Sequence, residues 1–221
     1  MTKSIYAGMT KPDYSIENGV YPARLFQIVQ LGSQHFEKNG KGWDSPMILI
    51  GFELPTLTYE TQDGATLSQI KSQSYFLSMN PSWNGQMGLR ELIDGLRGSA
   101  EYTEEELEKF DITSFLGKEC MLTLDGVSDK MGRTFQNITK VEGADFKALG
   151  LEIGSFREPI LVTVDDFKDL ETISLPEWIK EKIEKSVEWK ELNAGLPVMP
   201  NGQYAPEEEK EEIKIEDVPF N

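Results

Sequence analysis

The stretch Tyr21–Gln34, Tyr-Pro-Ala-Arg-Leu-Phe-Gln-Ile-Val-Gln-Leu-Gly-Ser-Gln, constrains this chain more than any other. Leu25, Val29 and Leu31 fall on one parity and Phe26 and Ile28 on the other, which predicts a strand, long and curved, as the first regular element. Residues Gln34–Ser45 hold Lys38, Asn39, Gly40, Lys41, Gly42 and Trp43 and read as a flexible loop. A second strand is expected at Met47–Leu54, stopped by Pro55. Asp63-Gly64 marks a turn, and a third strand spans Ile70–Met79 until Pro81 breaks it.

Helical signals come next. Asn84 can cap a helix in which Leu89, Leu92, Ile93 and Leu96 form one apolar face and which Gly98 ends. Thr103–Glu106 is a capping box opening a second, short helix through Phe110. Lys118–Asp125 and Arg133–Val141 read as two further strands, joined by the polar turn Gly126–Gly132 with Lys130 in it. Three strands, a helical segment and two strands is the order of the OB-fold, a small five-stranded Greek-key barrel with a helix between its third and fourth strands. The expected fold class is therefore mainly β (α+β). That barrel binds oligonucleotides across its second and third strands and its first and fourth inter-strand loops, here Gln34–Ser45 and Gly126–Gly132.

Beyond the barrel, Glu158–Val164 adds an extended segment. Ser174-Leu-Pro-Glu177 opens a C-terminal helix to about Leu192, with Leu175, Ile179, Ile183 and Val187 on the side expected to pack against the barrel. Residues 1–192 then form one domain with a helical extension. Residues 193–221 form a linker rich in Pro, Gly and Asn followed by an acidic, disordered tail.

Charge follows the same division. The formal net charge is −16, but residues 1–100 carry eight basic against nine acidic residues, and residues 101–221 carry 14 against 29. A front half near neutrality can hold a local basic groove, whereas the acidic remainder discourages duplex wrapping. No apolar run approaches the roughly 18 residues of a membrane span, and Met1–Tyr14 lacks a signal-peptide core, so a soluble cytoplasmic protein is expected, with no membrane partner.

Two resemblances add to this. The ending Glu216-Asp217-Val218-Pro219-Phe220 resembles the C-terminal tip of bacterial single-stranded DNA-binding proteins, an acidic stretch closing in Ile-Pro-Phe or Leu-Pro-Phe that recruits replication and repair proteins. Asn221 departs from that family, in which the phenylalanine is terminal. The segments Pro22–Leu31, Leu54-Pro55, Ile93–Gly98, Phe115–Cys120 and Leu175–Trp178 together resemble a family of small phage and prophage proteins encoded among replication and recombination functions. That resemblance implies an OB-fold single-strand binder, from a phage in a bacterial host's cytoplasm. The partners implied are single-stranded DNA and, through the tail, replication or recombination proteins; the sequence is also compatible with a homo-oligomer.

A sequence-tolerant single-strand binder needs aromatic platforms interleaved with cations. Trp43 with Lys38 and Lys41 meets that need in the first loop; Tyr75 with Lys71 does so on the third strand; Phe135 with Arg133 and Lys130 does so near the fourth loop; Arg24 is a further phosphate candidate. Taken singly, each lysine reads as solvated surface, and only the constellation argues for binding. Phe52 and Phe76 are assigned to the core, whereas Tyr75 and Phe135 fit either role.

No enzyme is expected. His35 and Cys120 are the only residues of their kinds, and neither a Gly-x-Ser-x-Gly elbow nor a phosphate-binding Gly-x-x-x-x-Gly-Lys-Ser/Thr loop occurs, so neither a cofactor nor a metal is called for. Cys120 reads as a small core hydrophobe. Asp165-Asp166 and Glu104–Glu106 read as helix starts rather than metal ligands. The rival reading is an acidic interaction protein, or DNA mimic, that occupies a basic site on a host nuclease or replication protein.

Overall fold

The computed structural model describes residues 16–61, 64–78, 87–98, 103, 105–106, 109–128, 134–154 and 157–194. Its framework is a mainly antiparallel sheet built from β1 (Gly19–Lys38), β2 (Lys41–Glu60), β3 (Thr66–Phe76), β4 (Glu119–Ser128), β5 (Thr134–Gly143) and β6 (Ile160–Val162). The helices α1 (Leu89–Arg97), α2 (Glu177–Glu184) and α3 (Val187–Asn193) accompany it, with 3-10 segments at Ile112–Phe115 and Val164–Thr172. The strands lie in the order β3-β2-β1-β4-β5, an open path, and β6 also pairs with β1.

β1 is the long strand expected and extends past it at both ends, and β2 is far longer than the expected Met47–Leu54. The expected loop at Gln34–Ser45 is instead the tip of a hairpin, because Asn39 (φ 55°) and Gly40 (φ 73°) both take left-handed backbone and turn the chain in two residues. Pro55 does not stop β2; it lies buried inside the strand. The described residues gather into two compact units, one holding residues up to Gln27, Gly51–Gln73 and Ser78–Pro159, the other Ile28–Ile50, Ser74–Leu77 and the residues from Ile160 on.

In the first unit, β4 pairs with Gly19–Arg24 of β1 and with β5, both antiparallel. Leu89, Leu92, Ile93 and Leu96 are all buried, so the apolar stripe of α1 is the face that folds inward, as its period requires. The helix starts at Gly88, whose N–H donates to Glu91 at 2.6 Å, and Gly98 (φ 80°) closes it. α1 approaches β5 backbone to backbone: a Cβ on Gly95 would lie 2.1 Å from the Val141 carbonyl oxygen, and one on Gly143 would lie 2.4 Å from that of Leu96. Where the ladder is open, side chains bridge instead. Lys71 Nζ donates to the Gln136 carbonyl, and Gln73 Oε1 accepts from Ile138 N–H at 3.2 Å.

In the second unit the core is Val29, Leu31, Leu49, Val162, Phe167, Leu170, Leu175, Ile179 and Ile183. Thr163 and Asp166 cap the Val164–Thr172 segment, with the Thr163 N–H donating to Asp166 at 2.8 Å, so this aspartate serves as the helix start read from sequence. The single C-terminal helix expected to Leu192 is two. α2 ends at Glu184, and Ser186 restarts the chain as α3 by accepting from Trp189 N–H at 3.2 Å. The cause lies on β1. Gly32 (φ +68°) bends that strand, and a Cβ there would sit 2.6 Å from Ser186 Cβ, while Ser33 N–H and Oγ both donate to the buried Glu188 carboxylate at 2.7 Å. Pro176 precedes α2 with no side-chain cap, so the Ser174–Glu177 box is not formed.

Candidate functional site

A two-residue turn at Asn39-Gly40 sets Phe36 opposite Trp43 and His35 opposite Asp44, and strand alternation then sorts the ribbon into two unlike faces. Phe36, Lys38, Lys41 and Trp43 share one face; His35, Glu37, Gly42 and Asp44 share the other. The contacts agree. Phe36 and Trp43 stack with centroids 5.9 Å apart and planes 23° from parallel, and His35 Nδ1 lies 2.8 Å from Asp44 Oδ1. A Cβ on Gly42 would meet the His35 ring at 2.8 Å, so the ring lies over the glycine and would have to shift to admit a side chain there.

Phe76, at the end of β3, joins the aromatic face with its ring centroid 5.2 Å from that of Phe36. Trp43 is 43% exposed and Phe76 45%, so two of the three rings offer large surfaces to water. Lys38 and Lys41 are exposed beside them. Gln34, on the same parity as Phe36, donates to the Lys182 carbonyl of α2 at 3.0 Å. The ammonium of Lys182 lies 3.4 Å from Ser74 Oγ and 5.4 Å from the ring centroid of Trp178, itself 45% exposed. All of these residues belong to the second unit.

The residues singled out from sequence therefore part company. Lys38, Lys41 and Trp43 are together and exposed. Tyr75 is not a platform: it is 3% exposed, its hydroxyl is buried without a hydrogen-bond partner among the described residues, and burial pushes its pKa up. Phe76, assigned to the core, takes the exposed place, because adjacent aromatic residues on a strand leave the inward parity undetermined and the tertiary fold chooses Tyr75. Phe52 is core, at 0% exposure. Arg24 is not a waiting phosphate ligand; it pairs with the fully buried Glu53 at 2.9 Å and donates to the Arg157 carbonyl. Ser68 Oγ donates to the same Glu53 at 2.5 Å, and Arg157 donates to the Ser68 carbonyl at 2.8 Å, which completes a polar cluster within the first unit. Lys71 is half-buried on its Gln136 contact, and loss of hydration lowers its pKa. Lys130, Arg133 and the tip Glu216–Phe220 lie outside the described residues, as does the side chain of Phe135.

Trp178 and Lys182 were missed by sequence reasoning, which followed the Ile179–Ile183 face of their helix. The available signal was a Trp-x-x-x-Lys spacing off that face, which places a cation one turn from an aromatic ring. Cys120 is buried, and burial pushes its thiol up to about 12, beyond the range in which a nucleophilic thiolate forms. Among the described residues no cluster of three or more His, Cys, Asp or Glu is placed to hold a metal ion, and no helix is long and apolar enough to cross a membrane. No known family model, curated protein or solved structure matches the chain.

Proposed function

We propose that the protein binds single-stranded DNA through the aromatic face of the β1–β2 ribbon. The observation that carries this reading is the ring cluster of Trp43, Phe36 and Phe76, with Lys38 and Lys41 on the same face. Base faces stack on such rings whatever the sequence, and the adjacent ammonium groups meet the phosphates. Supporting it is the strand order β3-β2-β1-β4-β5 with α1 between β3 and β4, the order of an OB barrel cut between its third and fifth strands; the Lys71–Gln136 and Gln73–Ile138 contacts fall at that cut. In this reading the protein coats exposed strands during phage DNA replication or recombination in a bacterial cytoplasm, and the tip Glu216–Phe220 recruits partner proteins.

The test is fluorescence anisotropy of a labelled oligo(dT) at two salt concentrations. Wild-type protein should bind at low salt and weaken as salt rises. Replacing Trp43 or Phe76 by Ala should cost about 1–3 kcal/mol per stacking ring, an affinity loss of roughly 5- to 150-fold. Absence of binding at low salt would defeat the proposal and favour the acidic interaction protein that the −16 charge suggests.

A further inference from the structure

The apolar face of α2 is spent on the core through Ile179 and Ile183, both almost wholly buried, so Trp178 is not needed there and stays 45% exposed. A large ring left in water at the start of a helix calls for a use, and its surroundings specify one. Lys182, one helical turn on, holds its ammonium 5.4 Å from the ring centroid. The same lysine is tied by its backbone to Gln34 and by its side chain to Ser74. Gln34 and Ser74 each stand two residues from a ring of the aromatic cluster, Phe36 and Phe76 respectively, on the same strand face. The ring of Trp178 and the cluster are thus joined through two side chains on β1 and β3, the two strands that flank β2.

We propose that Trp178 and Lys182 form a second station for the same single strand, one ring for a nucleobase and one ammonium for the neighbouring phosphate. This rests on the single-strand reading of the ribbon and extends its path from the hairpin tip onto α2. The chemistry is that of the first station: a π face, a cation within reach of its rim, and hydroxyl and amide groups (Ser74, Gln34) between the two. A chain of acceptor phosphates is selected over an acidic peptide because each ring station has a lysine beside it, Lys38 and Lys41 at the first and Lys182 at the second, matching a polymer that alternates flat apolar units with anions.

The two stations separate experimentally by ligand length. Oligo(dT) of about 4 and about 16 nucleotides spans the range of sites that one such barrel covers. Trp43→Ala should weaken both. Trp178→Ala should leave the short oligomer within about twofold of wild type and weaken the long one about tenfold, while Trp178→Phe, which keeps a ring, restores most of that loss. Lys182→Met, which leaves Trp178 in place, should weaken the long oligomer and reduce its log-affinity against log-salt slope by about 0.7, the share of one phosphate on a single strand. Circular dichroism of each variant checks the fold, and if Trp178→Ala does not fold, Trp178→Phe and Lys182→Met carry the test. Wild-type affinity for the long oligomer in Trp178→Ala, or an unchanged salt slope in Lys182→Met, would overturn the second station and leave the first intact. Failure of wild-type protein to bind either oligomer would instead remove the single-strand reading itself.

Discussion

Gly32 shows how one residue fixes a neighbourhood. Its φ of +68° costs a residue with a Cβ about 1–2 kcal/mol, and the added atom would also press on Ser186 at 2.6 Å, where the α2–α3 junction leaves little room to retreat. Gly32→Ala should therefore lower stability by about 2–3 kcal/mol in urea unfolding, with a shifted midpoint and an unchanged slope. Glu188→Gln tests the other half of the same contact. Ser33 presents two donors to that carboxylate at 2.7 Å in a site only 4% exposed, and replacing one oxygen by an amide should cost about 1.5–3 kcal/mol. A loss below about 0.5 kcal/mol in both variants would show that the Gly32-Ser33 contacts do not anchor α3.

At the scale of elements, what sequence revealed was local and what it hid was long-range. α1 was legible because Leu89, Leu92, Ile93 and Leu96 repeat at helical spacing and a glycine follows; no partner is needed to read that. The break after Glu184 was hidden because the apolar spacing Ile179, Ile183, Val187 continues through it, and Ser186 is selected as a cap by contact with Gly32, more than 150 positions away in the chain. The Val164–Thr172 segment carried a signal that helical spacing obscures, since Phe167 and Leu170 lie three apart, as a 3-10 turn eclipses them. The hairpin was the avoidable miss. Asn39-Gly40 is the dipeptide that two-residue turns demand, and reading it as a flexible loop concealed the pairing of Phe36 with Trp43. Gly40→Ala, which places a Cβ at φ 73°, should loosen the ribbon tip. Amide hydrogen exchange from Gln34 to Ser45 should accelerate, and oligo(dT) affinity should drop with it, whereas α1 should exchange as in wild type.

For the molecule as a whole, a net charge of −16 has to be reconciled with the proposal of an anionic ligand. The two are compatible when binding depends on few phosphate contacts and several stacked bases. With Lys38, Lys41 and Lys182 as the cations, the log-affinity of the long oligomer should fall with log salt with a slope of about −2, from about −0.7 per contact. A slope steeper than about −5 would require a cationic surface beyond these three side chains. The strand succession was legible from alternating runs and turn residues, and so was the ring at Trp43. The fate of Arg24 was not, because Glu53, Ser68 and Arg157 meet it only after folding.

The two-sided ribbon of β1 and β2 has a further consequence. With Lys38 and Lys41 on one side and Glu37 and Asp44 on the other, it is a small electric dipole set across its own thickness. Near a polyanion such a dipole feels a torque, effective within the roughly 10 Å that salt leaves unscreened at 0.1 M. With the single strand proposed above as that polyanion, the tip would turn ring-side first before contact, and alignment would precede capture. A single-residue slip between the two strands would carry one strand's side chains to the opposite face, setting Lys38 with Asp44 and Glu37 with Lys41, and abolish that torque.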